Sequence, residues 1–284
     1  MRRSQRATTL GSVVLLAASM AAAQGRQEFH YVVKPHAKIS IANQFGPVSV
    51  VAGDSNRIDV VVFVHSDKVE VTQSQSGSRV ELTSHLMNGA DARSGQVDYD
   101  VRVPADASVV MRSATGHMVA AGLRGDISVA GAAADVDIHN VNDAHVHVKT
   151  MEGTVKLTGV HGGHVEITSV SGPVILQAVD GPIVQVNSGS GTISYDGDFG
   201  GDGNYSLHSH NGNIDILAPA DSTELLACTV TGHVDGEFHF RPVRWPCATL
   251  QTAQTVPPAA EILQPSSSSV HLFTFSGRIN LKKK

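Results

Sequence analysis

Between residues 134 and 240, apolar and polar residues alternate in short pairs, and the pairs recur at a fixed interval. Gly153, Gly172 and Gly191 stand 19 residues apart, Ala134 lies 19 before the first, and Gly212 and Gly232 follow at spacings of 21 and 20. Aligned on these markers, the coils open with Val136/Ile138, Val155/Leu157, Val174/Leu176, Ile193/Tyr195 and Ile214/Ile216. A second apolar pair follows about ten positions later: Val146/Val148, Val165/Ile167, Val184/Val186 and Tyr205/Leu207. Gly116 opens an earlier, degenerate copy with Met118, Ala120, Ile127 and Val129. A period of two places each pair on one side of a strand. A period near twenty with two strands per unit predicts an all-β, single-chain β-solenoid, β-helix-like, with coils of about 19 residues. One coil cannot bury enough surface to offset its own ordering entropy, so it needs neighbours above and below.

Two further columns fit stacking. Thr150, Ser169 and Ser188 share one corner, with Ser209 in the equivalent place, and could form an internal hydroxyl ladder. Asn140, Gly159 and Ala178 share the other corner, where small residues suit a tight turn. Before the repeats, residues 24–105 read as a less regular β segment leading into the solenoid, which occupies 106–240. Residues 241–284 read as a Pro/Ser/Thr-rich excursion followed by a C-terminal β segment. Within that segment Gly277-Arg278-Ile279 echoes the coil-opening motif and is expected to pair at the C-terminal end.

The termini and composition bound the setting. Arg2, Arg3 and Arg6, the apolar run Val13–Met20 and the small residues Ala21-Ala22-Ala23 predict a signal peptide over 1–23, cleaved after Ala23. The chain is then expected to be exported, to the periplasm, the outer surface or beyond, with no integral membrane segment in its mature part. An even pair of cysteines in such a chain predicts a Cys228–Cys247 disulfide. Residues 113–240 carry three basic side chains against fifteen acidic ones, 3 − 15 = −12, which disfavours nucleic acid as a partner.

Ile41-Ala42-Asn43 before Gly46-Pro47-Val48-Ser49-Val50 resembles the N-terminal signature of a bacterial β-strand-repeat family called putative adhesin, a domain of unknown function. Tyr99-Asp100-Val101-Arg102-Val103-Pro104 fits the same pattern. So do Ile193-Ser194-Tyr195-Asp196-Gly197, Tyr205-Ser206-Leu207 and Asn211-Gly212-Asn213-Ile214. The similarity spans most of the mature chain. It implies an envelope or extracellular β-solenoid and brings no catalytic residues with it.

Candidate chemistry is sparse. His145 and His164 fall at one coil position, with His147 nearby, but the next coil offers Ile183, so the column stops short of the three or four ligands that zinc requires. His208 and His210 form another alternating pair. The loop Asp196–Gly203 carries oxygen ligands that suit calcium but lacks the spacing of a known calcium loop. Polysaccharide-cleaving β-helices need clustered carboxylates; Lys156 and Glu166 lie on different strands, and no second carboxylate joins them. The chain is therefore read with no catalytic, cofactor or metal residues. Its expected role is non-catalytic, adhesin-like binding of a protein or glycan at the cell surface. An envelope scaffold is the alternative, and a polysaccharide-active enzyme a minor one.

Overall fold

The structure, a computed structural model, describes residues 25–53, 56–199, 202–219, 223–237, 240–244, 247–250 and 268–284. The expected signal peptide, its cleavage point and the Pro/Ser-rich stretch 251–267 lie outside the described residues. Among the described residues there are strands and turns and no helix.

The chain enters as β1 (Gly25–Val32) and lays down a first coil, β2 (Lys38–Ala42) and β3 (Val48–Gly53). An excursion follows: β4 (Arg57–Val64), β5 (Val69–Ser76), β6 (Arg79–Leu86) and β7 (Val97–Pro104). β8 (Ser108–Ala121) and β9 (Ile127–Asn142) each run through a corner, so one strand serves a whole coil. Later coils divide at the corner into β10 (Val146–Glu152) and β11 (Val155–His161), then β12 (His164–Ser169) and β13 (Val174–Val179). The next are β14 (Ile183–Ser188) and β15 (Ile193–Asp196), then β16 (Asn204–Ser209) and β17 (Ile214–Ala218), then β18 (Thr223–Thr229) and β19 (Val234–Gly236). A hairpin of β20 (Phe240–Arg244) and β21 (Cys247–Leu250) precedes the last coil, β22 (Ser268–Thr274) and β23 (Ile279–Lys283).

These strands stack in parallel on two faces. On face A the order from β6 is β2, the first halves of β8 and β9, β10, β12, β14, β16, β22 and β18. On face B the order from β7 is β3, the second halves of β8 and β9, β11, β13, β15, β17, β23 and β19. Antiparallel strands finish the stack. β5 lies beyond β6, β4 and β1 lie beyond β7, and β21 and β20 lie beyond β18. Antiparallel caps of this kind cover edges that would otherwise template further pairing.

The predicted pairs are the core. Val146, Val148, Val165, Ile167, Val184 and Val186 on face A are buried, as are Val155, Leu157, Val174, Leu176 and Ile193 on face B. The register keeps like over like, so Val155 pairs with Val174 and Leu157 with Leu176. A shift by one residue would turn this whole set outward, which is why the alternation fixes the pairing.

The corners show why their residues are small. A Cβ on Gly153, Gly172, Gly191 or Gly212 would collide with the carbonyl oxygen of the marker residue one rung earlier. Asn140, Gly159 and Ala178 all sit in the left-handed region, at φ of 56°, 61° and 50°. The Thr/Ser column is buried, and its hydroxyls donate to backbone carbonyls of the turn rather than forming an internal ladder. Thr150 donates to the Glu152 carbonyl at 2.7 Å, Ser169 to that of Ser171 at 3.1 Å and Ser188 to that of Gly191 at 3.1 Å.

One expectation fails in an informative way. The coil β22–β23 does not extend the end of the stack; it is inserted between β16–β17 and β18–β19. Gly277 packs on the Gly212 carbonyl and Gly232 packs on Gly277, so the marker column runs out of chain order. The apolar period survives because the inserted coil carries the same pattern, with Val270, Leu272, Ile279 and Leu281 buried.

Candidate binding surface

Outward side chains differ sharply between the faces. From β11 to β23, face B presents Lys156, Ile175, Ser194, Asp215 and Asn280 in one column, and Asp235 on β19 ends it. Asp215 accepts a hydrogen bond from the Asn280 side-chain amide at 2.5 Å, and Asp196 pairs with the Lys284 ammonium at 2.9 Å. Face A presents His147, Glu166, Gln185, Ser206 and His271, and beside them Lys149, Thr168, Asn187, His208 and Phe273.

The A-side corner is apolar. Met151, Val170 and Phe275 stand along it, 60%, 57% and 42% exposed, the first two on successive rungs and Phe275 three rungs beyond Val170. Gly189 falls between Val170 and His210 in this row, as the corner amides show: Val170 donates to the Thr150 carbonyl, Gly189 to that of Ser169 and His210 to that of Ser188. Lacking a side chain, Gly189 leaves a gap. A shallow groove of about 360 Å³ occupies it, lined by Thr168, Asn187, Ser188, His208, His210 and Phe273.

Two imidazole–phenyl pairs stand here, of which His208, His210 and Phe273 line the groove. His210 stacks on Phe275 with centroids 5.2 Å apart, and His208 meets Phe273 edge-on at 5.8 Å. Burial, and after it the neighbouring His271, lowers the His208 pKa below the usual imidazole value, which favours the neutral ring. The groove therefore offers aromatic faces, amide and hydroxyl groups, and little fixed charge. Such a mixture suits recognition by apolar contact and hydrogen bonding. The sequence singled out His208 and His210 but not Phe273 and Phe275, because only the inserted coil brings these rings beside them.

The other candidates separate. His145 and His164 are neighbours, with ring centroids 5.6 Å apart. His147 instead bonds Glu166 at 3.1 Å. No cluster of three or more His, Cys, Asp or Glu side chains arranged to hold a metal occurs among the described residues. Lys156 lies on face B and Glu166 on face A. The acidic loop places Phe199 in the core, where it stacks on Tyr195 at 4.6 Å and meets Tyr205 edge-on at 5.0 Å. Tyr195 donates its hydroxyl to the carbonyls of Val179 and Asp198. Burial drives its pKa far up, so the group acts as a neutral donor. The two extra residues of this coil thus serve an aromatic plug. Cys228 is disulfide-bonded, and β18 and β21 set Cys228 opposite Cys247.

Residues 36–282 match the family model Toastrack DUF4097, and the chain belongs to that family. Among solved structures it is similar to a putative adhesin from Bacteroides fragilis NCTC 9343, at 14% identity and a TM-score of 0.48, covering 93% of this chain and 99% of that one. It is also similar to a putative cell adhesion protein from Clostridium sporogenes ATCC 15579, at 12% identity and a TM-score of 0.33, covering 92% and 100%. A putative adhesin from Parabacteroides distasonis ATCC 8503 is similar at 10% identity and a TM-score of 0.33, covering 93% and 98%. No curated protein matches. No helix among the described residues is long and apolar enough to cross a membrane.

Proposed function

We propose that this chain is an exported, non-catalytic binding protein of the cell envelope, adhesin-like in role, and that it binds through the A-side corner. The observation carrying this reading is the row Met151, Val170, His210 and Phe275 with its gap at Gly189. Other exposed apolar residues such as Val32, Phe63 and Met87 lie on the N-terminal strands and loops, whereas here exposed apolar side chains recur along one corner of the repeating coils, and such strips mark interaction surfaces. Parallel strands about 4.8 Å apart hold the row rigidly, so a partner meets an ordered surface and little flexibility is lost on binding. The catalytic alternative has weaker support: Glu166, its best carboxylate, is engaged with His147, and its in-register neighbour on the next rung is Gln185.

The test is binding of the purified mature protein to whole cells, matrix proteins and a glycan array. Phe273→Ser and Phe275→Ser are expected to weaken capture at least tenfold, whereas Ile175→Ser on face B leaves it unchanged. Equal binding by all variants would overturn the assignment to this corner. Turnover of a polysaccharide, abolished by Glu166→Gln, would overturn the non-catalytic reading.

A further inference from the structure

We propose that the place occupied by β22–β23 is an acceptor slot for a coil, and that a second copy of this chain fills it with its own residues 268–284. The slot is formed by β16–β17 on one side and β18–β19 on the other, and the inserted coil pairs in parallel with both. Recognition is specific. The Thr274 hydroxyl donates to the Gly212 carbonyl, the Gly277 amide donates to Thr274, and the Thr229 hydroxyl donates to the Gly277 carbonyl. Ser276 bonds the Asn211 side chain, and the Arg278 amide donates to that of Asn213.

Two features make this coil the exchangeable one. First, it is not adjacent in sequence to either neighbour: residues 251–267, seventeen in all, separate it from β21. A segment of that length extends to at most about 60 Å, enough to reach a neighbouring molecule. Second, the slot has another way to close. Gly232 follows Gly212 by 20 residues, the ordinary coil spacing, and Leu225, Ala227 and Thr229 repeat the inward pattern of Tyr205, Leu207 and Ser209. When β22–β23 leaves, β18–β19 can drop one rung onto β16–β17 and re-form the strand hydrogen bonds. Release therefore exchanges one set of rung contacts for another, the condition under which identical elements swap between protomers at low cost. A reciprocally swapped dimer would present two A-side corners on one particle, and paired sites multiply avidity without any new contact.

The experiment uses the full mature chain. Ser206 and His271 are outward neighbours in register across β16 and β22, within disulfide reach of each other. The double variant Ser206→Cys/His271→Cys should cross-link on oxidation. Size-tagged single variants, Ser206→Cys in one chain and His271→Cys in the other, are then mixed, incubated and oxidised. The expected result is a covalent heterodimer that accumulates over time and exceeds, at least tenfold, that from Gln185→Cys mixed with His271→Cys, where the cysteines lie one rung further apart. A double variant that cross-links only within its own chain, with no heterodimer above the Gln185 control, would overturn exchange. Failure of the double variant itself to cross-link would overturn the slot.

Discussion

Thr274 donates its hydroxyl hydrogen to the carbonyl of Gly212 at 2.9 Å, across 62 residues of sequence. Thr229 makes the equivalent bond one rung further on, to the Gly277 carbonyl at 3.2 Å. Ser209 makes the same bond to the Gly191 carbonyl at 3.3 Å between coils adjacent in sequence, so that contact and the glycine packing also hold the inserted coil. Gly277→Val is expected to unseat β22–β23, because a side chain there meets the Gly212 carbonyl. Thr274→Val keeps the shape and leaves a buried carbonyl short of a donor, at a cost of about 1–3 kcal/mol. Chemical denaturation should rank wild type above Thr274→Val above Gly277→Val, with cleavage after residue 267 appearing first in the glycine variant. Equal stability of all three would refute the role of this column.

Ala178 lies at a φ of 50°, where its counterpart on the preceding coil is Gly159. A residue with a Cβ in that region costs roughly 1–2 kcal/mol. Ala178→Gly is expected to relieve that strain, less the extra unfolded-state entropy of glycine, for a gain of up to about 1 kcal/mol. Ala178→Val should destabilise. Thermal melts of the three proteins test this, and a glycine variant clearly less stable than wild type would contradict it.

How much of this was legible in the sequence depends on whether each feature was local. The alternation Val155/Leu157 over Val174/Leu176 dictates strand, face and register together, so the coil could be read from one period. The corner column Asn140, Gly159, Ala178 was visible as small residues, though its left-handed backbone was not. The insertion of β22–β23 was invisible, because Gly232 follows Gly212 at a normal spacing and the two arrangements satisfy the same pattern. The aromatic wall of the groove was missed for the same reason: Phe273 reaches His208 only through that insertion. Phe199 was hidden within an acidic loop, where the carboxylates suggested calcium and its ring gave no periodic signal.

Phe199→Ala removes the ring stacked on Tyr195 and leaves Tyr205 without its edge partner. A buried phenyl deleted to alanine costs about 3–5 kcal/mol. Asp202→Asn, in the same loop, should cost little if the loop's purpose is to deliver that ring. Urea midpoints of the two variants, measured with and without added calcium, test the assignment. A calcium-dependent stabilisation lost in Asp202→Asn would reverse it.

Acid should loosen the N-terminal cap. Asp59 on β4 bonds His30 of β1 at 2.6 Å and Arg57 at 2.7 Å. Burial pushes its carboxyl pKa up, but the hydrogen bonds from His30 and Arg57 outweigh that and hold it below the ordinary aspartate value. A depressed folded-state pKa contributes stability that is complete above the unfolded value and is lost as pH falls through the folded one. Asp59→Asn should therefore lower stability near neutral pH, with a shrinking difference from wild type below about pH 4. Hydrogen exchange of the β1 amides at several pH values tests this, and a difference that persists undiminished in acid would contradict it.

Reduction should act at the opposite end of the stack. Cys228 is disulfide-bonded, and at that point β18, the outermost rung of face A, pairs with the antiparallel β21. Closing a loop of about 19 residues stabilises by roughly 3 kcal/mol on the chain-entropy estimate. Reduction, or Cys228→Ser with Cys247→Ser, is thus expected to detach β20–β21 and expose the β18 edge while leaving the coils from β8 to β15 intact. An uncovered edge templates pairing with other chains. The reduced protein should then self-associate at concentrations where the oxidised one does not, while circular dichroism still reports most of the β structure. Light scattering under oxidising and reducing conditions separates the outcomes. Reduced protein that keeps the oxidised protein's mass and melting temperature would show that β20–β21 holds the edge without the bond.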